Sequence, residues 1–312
     1  MSGKNVMIVS ESSDKSTENV IDWLHYYGVK IIRRNTDKDF FMFNIHISNE
    51  LTKSNLGDYI IWNRRGYFPI LPSDLRHTEW IPYLKGEQQP VLFAFEEIQS
   101  KNIIGSYYQE FSNNKILNLK KAINAGFLIP DTIVTNNKID LFNFIDINKK
   151  YITKSLRYAP SLETKDFYYS GAGTVFFNMD EVSDHFAPSM IQEYIEKDFE
   201  IRVFFVEDLF FAMAIFSQND EKTRVDFRNY NDIKPNRNIP FNLSSEILNK
   251  LKKFVNEINC DTGSIDLIMT PNNEIVFLEI NPMGQYHWLS ESCNYYIDKK
   301  IAELLIRKQQ YE

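Results

Sequence analysis

Apolar residues fall along the chain as short runs separated by stretches with helical spacing. Val6-Met7-Ile8-Val9 is an apolar run that reads as a strand, and Ser16 can cap a following helix whose apolar face is Val20, Ile21, Trp23, Leu24 and Tyr27. Gly28 stops that helix, and Val29 to Ile32 reads as a second strand. A strand, helix and strand in this order predict parallel pairing through a right-handed crossover. Asp58 to Trp62 is a further strand that runs into Asn63, Arg64, Arg65 and Gly66. Two guanidiniums thus sit at a strand end, where they either face a ligand or form a solvated turn. No G-x-G-x-x-G follows the first strand, so the dinucleotide-binding use of such a unit is not written here.

Near residue 112 the pattern changes. Ser112 or Asn113 can cap a helix through Ile116, Leu119, Ala122 and Ile123 that ends at Gly126, ahead of Ile129-Pro130. Strand candidates Tyr151 to Lys154 and Gly173 to Phe177 bracket a polar stretch, Ser161 to Tyr169, which predicts a small mobile subdomain. From Ser189 onward come a strand pair broken at Glu207-Asp208, then a helix with Ile247, Leu248, Leu251, Phe254, Val255 and Ile258 on one face. Two more strands and a helix from about Asn294 to Arg307 close the chain. The expected class is α/β with α+β character, divided at residues 1–112, 113–188 and 189–312.

Composition narrows the function. At 312 residues the chain is long enough for about two domains. Its 35 basic and 42 acidic residues leave a net charge of −7, a field that repels phosphate backbones and excludes general nucleic-acid binding while leaving room for a local basic pocket. Cys260 and Cys293 have no C-x-x-C spacing, and the N-terminus leads into too few apolar residues for a secretory signal, so a reducing, cytoplasmic location is expected. The longest apolar tract, Val203 to Phe216, is interrupted by Glu207-Asp208, and no segment is expected to span a membrane.

The strongest chemical signal lies between Gly263 and Asn281. Two alternating strands flank Asn272-Asn273, and a turn centred between those residues sets Asp266 opposite Glu279. Alternation adds Asn281 to the face of Glu279, so two carboxylates and an amide oxygen converge. Opposed like charges destabilise a strand pair unless a hard cation uses them as ligands, which makes this a magnesium candidate; the alternative is an acidic pair relieved by salt bridges.

These residues resemble the ATP-grasp superfamily, whose C-terminal subdomain carries an Asp and then a Glu-x-Asn. On that resemblance Asp266, Glu279 and Asn281 are metal ligands, Lys115 and Lys154 bind phosphates, and Gly171, Gly173 and Thr174 belong to the loop that covers them. Gln192, Glu193, Tyr194 and Ile195 resemble the hinge that offers backbone groups to adenine, Glu200 the ribose-binding carboxylate, and Arg202 a contact to the transferring phosphoryl group. The resemblance implies an ATP-grasp fold with an N-terminal βαβ pre-ATP-grasp domain, a small central lid and a C-terminal catalytic subdomain. It covers residues 112–290 best. Each residue alone has a bland alternative, a surface lysine or a hairpin glycine; the ordered set is what is specific.

Within the superfamily the chain looks like the graspetide synthetases, similar to the microviridin and chryseoviridin ligases and the grasp-with-spasm maturases. Trp62-Asn63-Arg64-Arg65, the tract from Lys154 to Thr174, and Val225-Asp226-Phe227-Arg228 carry this likeness. The family's D-x-R element binds the reacting side chains of the peptide, and here strand alternation is expected to aim Asp226 and Arg228 together into the cleft. The resemblance implies ATP and magnesium, two ions in all, a ribosomal precursor peptide with leader and core, and a homodimer. Leader recognition is expected near the lid and residues 189–218, with Phe210-Phe211 and Glu207-Asp208 available to it. Where dipeptide ligases often have an arginine two residues before the hairpin aspartate, this chain has Ser264, which argues against a D-alanine ligase. The implied reaction activates an Asp or Glu side chain as an acyl phosphate, which a Ser or Thr hydroxyl or a Lys amine then attacks. The rivals are a ligase adding a free amino acid to a carboxylate, and a nucleotide-binding regulator without turnover.

Overall fold

A computed structural model describes residues 5–75, 79–157, 161–164, 168–170, 173–229 and 231–310. The chain opens with β1 (Asn5–Ser10), α1 (Lys15–Tyr26), β2 (Ile31–Asn35), the hairpin β3 (Ile45–Ile47) and β4 (Thr52–Ser54), β5 (Tyr59–Asn63), α2 (Ile81–Ile98), β6 (Ile103–Ile104) and α3 (Tyr107–Ser112). Strands order as β2-β1-β5-β6 and all pair in parallel, as the opening strand, helix and strand predict. The cap of α1 is Asp14, not Ser16: the Asp14 carboxylate accepts the Ser16 N–H at 3.0 Å. Helix α2 is absent from the hydrophobic pattern because Pro90 lies inside it and interrupts the reading.

Next come α4 (Lys115–Ala125), β7 (Thr132–Thr135), α5 (Lys138–Phe144), β8 (Tyr151–Lys154), β9 (Ser161–Glu163), β10 (Tyr168–Ser170), β11 (Thr174–Phe176) and β12 (Ser189–Glu193). The cap of α4 is Asn114, one residue beyond the expected pair, because α3 takes up residues through Ser112. A central antiparallel sheet runs β11-β8-β12-β7, with β9 and β10 paired apart from it. Residues 189–193 therefore pair within the central sheet, although they lie beyond the expected division at 188.

The last part comprises β13 (Phe199–Val206), β14 (Leu209–Phe216), β15 (Arg237–Pro240), α6 (Ser245–Ile258), β16 (Thr262–Met269), β17 (Ile275–Asn281), α7 (His287–Cys293) and α8 (Ile297–Gln310). The expected closing helix is α8, and a short helix not expected from the sequence, α7, precedes it and ends at Asn294 in the left-handed region. The antiparallel sheet orders as β15-β14-β13-β16-β17. Strand β13 shows why this sheet can hold a site. Ile201, Val203 and Phe205 are buried on one face in a cluster with Leu119 and Ala122 of α4 and Leu251 and Phe254 of α6. On the other face Phe204 and Val206 pack with Tyr286 and residues of α1 and α8. Each such apolar side chain contributes roughly 1.5–3 kcal/mol, so the strand is fixed at one end and Glu200 and Arg202 share the second face at the other. Phe210 and Phe211 are partly buried against these cores, on Phe205 and Tyr295, and Glu207 is ion-paired with Arg307 and Lys308. Among the described residues no helix is long and apolar enough to cross a membrane.

Candidate active site

The carboxylate pair arises from an irregularity. Thr270 and Glu274 close the turn with a backbone hydrogen bond of 2.9 Å, and Asn273 takes a φ of 61°. The turn is therefore centred on Asn272, not between Asn272 and Asn273, and Leu267 pairs with Phe277. A bulge beyond that pair restores the shift, so that Asp266 faces Glu279 after all. Leu278 is the extra residue. Phe277 and Ile280 both enter the core under the sheet, while Leu278 and Glu279 both line the cleft.

Both carboxylates are buried and held by cations. Arg202, paired with Asp266 in the β13–β16 ladder, places Nη1 at 2.7 and 2.8 Å from its two oxygens. Glu279 has Lys115 Nζ at 3.2 Å, Lys154 Nζ at 3.7 Å and Arg228 Nη1 at 3.5 Å. Burial pushes Glu279 up, but Lys154, Lys115 and Arg228 override it and hold the carboxyl down at about 2. Burial dominates at Asp266, which is raised despite Arg202, and at Lys154, which is lowered despite Glu279. Glu279 Oε2 is buried without a hydrogen bond of ordinary geometry. Among the described residues no three His, Cys, Asp or Glu side chains gather as a metal site. The two opposed carboxylates, with Asn281 two residues further along β17, are hard oxygen donors of the kind that fit magnesium.

Above this floor the central sheet closes a cavity of about 60 Å³. Lys154, Thr174, Gln192, Glu193, Tyr194, Ile195, Glu200, Asp226, Arg228, Asp266 and Glu279, eleven of the expected site residues, line it together. Gly171 lies outside the described residues. At the hinge, the Glu193 N–H donates to Asp131 O and the Tyr194 N–H to Lys150 O, both at 2.8 Å, so neither is open to a base. The Glu193 side chain turns to Lys149 at 3.0 Å.

Residues 225–229 form a turn, not a strand, and this corrects the alternation argument for the D-x-R element. The Asp226 carboxylate accepts the Arg228 N–H at 3.0 Å, and Arg228 folds back so that Nε and Nη2 reach Oδ1 and Oδ2 at 2.8 and 2.7 Å. Burial raises Asp226, but this fork prevails and holds it below the usual carboxylate range. Gly173 stands over the pair.

Sequence reading missed Lys197, which lines the same cavity and donates to Glu200 Oε1 at 2.5 Å; a lysine three residues before an inward carboxylate was the available signal. It also missed a second cavity of about 410 Å³, into which Arg202, Arg228 and Asn281 face from the cleft and Arg65, Glu110 and Arg157 from the far side. Of the two arginines after β5, Arg65 lines this cavity. Arg64 is buried and binds Met283 O at 3.1 Å and Gln285 Oε1 at 2.7 Å. Gly284 packs against Ser264, where a Cβ on the glycine would collide with Ser264 Cβ and Oγ.

No family model matches the sequence, and no curated protein matches it. Solved structures do. A RiPP-associated ATP-grasp ligase of Chryseobacterium gregarium, in complex with ADP and a leader and core peptide, is 25% identical, covers 98% of this chain and 97% of its own, and has a TM-score of 0.82. The macrocyclase MdnC of Microcystis aeruginosa, bound with precursor peptide MdnA, is 24% identical over 97% of this chain and 99% of its own, with a TM-score of 0.75. The ATP-grasp ligase PsnB, complexed with a minimal precursor, Mg and ADP, is 15% identical over 99% of both chains at 0.72. The last two speak for the fold alone. With the cleft described above, the chain is built along its full length like the RiPP-associated ATP-grasp ligases.

Proposed function

We propose that the chain uses ATP and magnesium to close side-chain rings in a ribosomal precursor peptide. One observation carries the reading: two opposed carboxylates beneath a closing sheet, ringed by Lys115, Lys154, Arg202 and Arg228, with a larger basic cavity next to them. Asp266, Glu279 and Asn281 would hold magnesium, which would supply positive charge against the phosphates. Lys115 and Lys154, compact charges beside Glu279, would hold the phosphates. Arg202 stabilises the charge on the transferring phosphoryl group. An Asp or Glu side chain of the core peptide enters from the second cavity, where Arg228 holds it. Its oxygen attacks the terminal phosphorus, ADP leaves, and an acyl phosphate forms. A Thr or Ser hydroxyl or a Lys amine of the same peptide then attacks the carbonyl and releases phosphate. Asp226, held low by Arg228, orients that nucleophile. Gly173 and Thr174 exclude water, which would otherwise compete for the acyl phosphate.

The partner is accordingly a leader and core peptide, and the active form a homodimer in a reducing cytoplasm. Mass spectrometry of the enzyme with ATP, magnesium and the precursor tests the reading. Loss of one water per ring is expected, whereas a gain of one amino-acid mass would show the ligase that adds free amino acids. Glu279→Gln should lower product formation roughly a hundredfold or more and weaken magnesium-dependent nucleotide binding. Unchanged turnover would remove the metal role.

A further inference from the structure

The loop that carries Asp226 and Arg228 leaves β14 at Ser217 and returns near Asn236. It is braced internally: Thr223 Oγ1 donates to Ser217 O at 2.9 Å, the Arg224 N–H to Asp220 O at 2.9 Å, and Asn231 Nδ2 to Asp220 Oδ2 at 2.6 Å. Besides Arg228 on Glu279 and Phe227 against Trp288, two of its outside contacts meet at one carboxylate. Ser217 Oγ donates to Glu200 Oε2, and Lys197 Nζ donates both to Glu200 Oε1 and, at 3.2 Å, to Val225 O, the residue before Asp226. The side chains of Lys197 and Glu200 are 4% and 5% exposed, so the contact is sheltered from solvent competition. The start and the business end of the loop are therefore both tied to Glu200.

We propose that Lys197 is a positioning residue that couples the nucleotide carboxylate Glu200 to the loop presenting Asp226 and Arg228. The inference rests on the reading of Glu200 as the ribose ligand. Each oxygen of Glu200 keeps a lone pair beyond the bonds it already accepts, so ribose hydroxyls add to the network without displacing Lys197 or Ser217. Binding of the nucleotide thus stiffens a hub whose other arms hold the peptide-contacting turn. Ordering of one site lowers the cost of using the other. A bare structural ion pair would hold Glu200 alone; the second bond to Val225 O makes Lys197 a link between sites.

Hydrogen exchange with the magnesium complex of the non-hydrolysable analogue AMPPNP reads this link without any peptide. In the wild type, nucleotide should slow exchange across residues 217–229 about tenfold. Lys197→Met keeps the apolar stem and, read at saturating AMPPNP, should abolish that protection, and Lys197→Arg should restore it. Protection unchanged in Lys197→Met overturns the proposal, and so does protection lost only because AMPPNP no longer binds, which would make Lys197 a direct nucleotide ligand. Should Lys197→Met fail to fold, Ser217→Ala, which cuts the other arm, is read by the same two outcomes. A wild type that binds AMPPNP without protecting the loop sinks the coupling alone; one that does not bind it sinks the nucleotide reading as well.

Discussion

Gly173 has no side chain, and Asp226 sits where one would be. A Cβ at that position would stand 2.9 Å from Asp226 Oδ2 and 3.5 Å from Arg228 Nη2. Gly173→Ala must therefore displace the fork of Asp226 and Arg228 by a few tenths of an ångström. Misplacing reacting groups is costly even over small distances, so kcat with the precursor should fall about tenfold while AMPPNP affinity changes less than threefold. Steady-state kinetics beside calorimetric titration checks this, and parallel loss of both would show that the glycine serves the nucleotide instead. At this scale the sequence was legible wherever a residue type is tied to an ordered set, as with Lys154 or Glu200. It was silent on Lys197, whose burial depends on how β13 and the 217–236 loop close over it.

Strand β16 begins at a junction with its own chemistry. Asp261, just before it, accepts the Gly105 N–H with Oδ1 at 3.2 Å and Oδ2 at 3.1 Å, which ties the C-terminal sheet to the end of β6. Burial raises this carboxyl from 3.8 to about 6. Between those values the folded protein binds more protons here than the unfolded chain, so the contribution of Asp261 to stability falls as pH rises from about 4 to 6. Asp261→Asn keeps an oxygen for Gly105 and removes the buried charge. Its melting temperature at pH 7.5 should equal or exceed that of the wild type, and the stability difference between pH 4 and pH 7 should change by on the order of 2 kcal/mol. A wild-type slope surviving in the variant would assign it to other groups. Elements themselves were legible where period and punctuation agree, as for β1, α1, α6 and the β13–β14 pair. The D-x-R turn was not: V-D-F-R alternates like a strand, and only the side-chain hydrogen bond from Asp226 to the backbone two residues on converts it. Helix α7, seven residues long and ending at the left-handed Asn294, was not legible in the sequence at all.

Across the whole molecule, Arg64 is a polar contact between the N-terminal and C-terminal parts, beside the apolar core they share. Its guanidinium is buried, with Asp14 Oδ2 at 3.6 Å on one side and Met283 O and Gln285 on the other. Arg64→Ala would leave Asp14 buried without its partner, at a cost of about 3 kcal/mol. Urea denaturation should show that loss, and a midpoint unchanged from wild type would mean that the Arg64–Asp14 pair contributes nothing to stability. The same join sets one wall of the larger cavity, so guanidiniums from both units, Arg65 on one side and Arg202 and Arg228 on the other, face a common space in a chain whose overall charge is negative. The bulge at Leu278 shapes the smaller space beside it. A regular ladder would send Leu278 down into the core and leave the anionic group without an oily neighbour. With one residue too many, the strand shows grease and charge side by side at a single rung, next to Ile268 on the adjoining strand. A flat heterocycle and a string of phosphates, which want opposite surroundings, can thus be received one step apart on the same sheet.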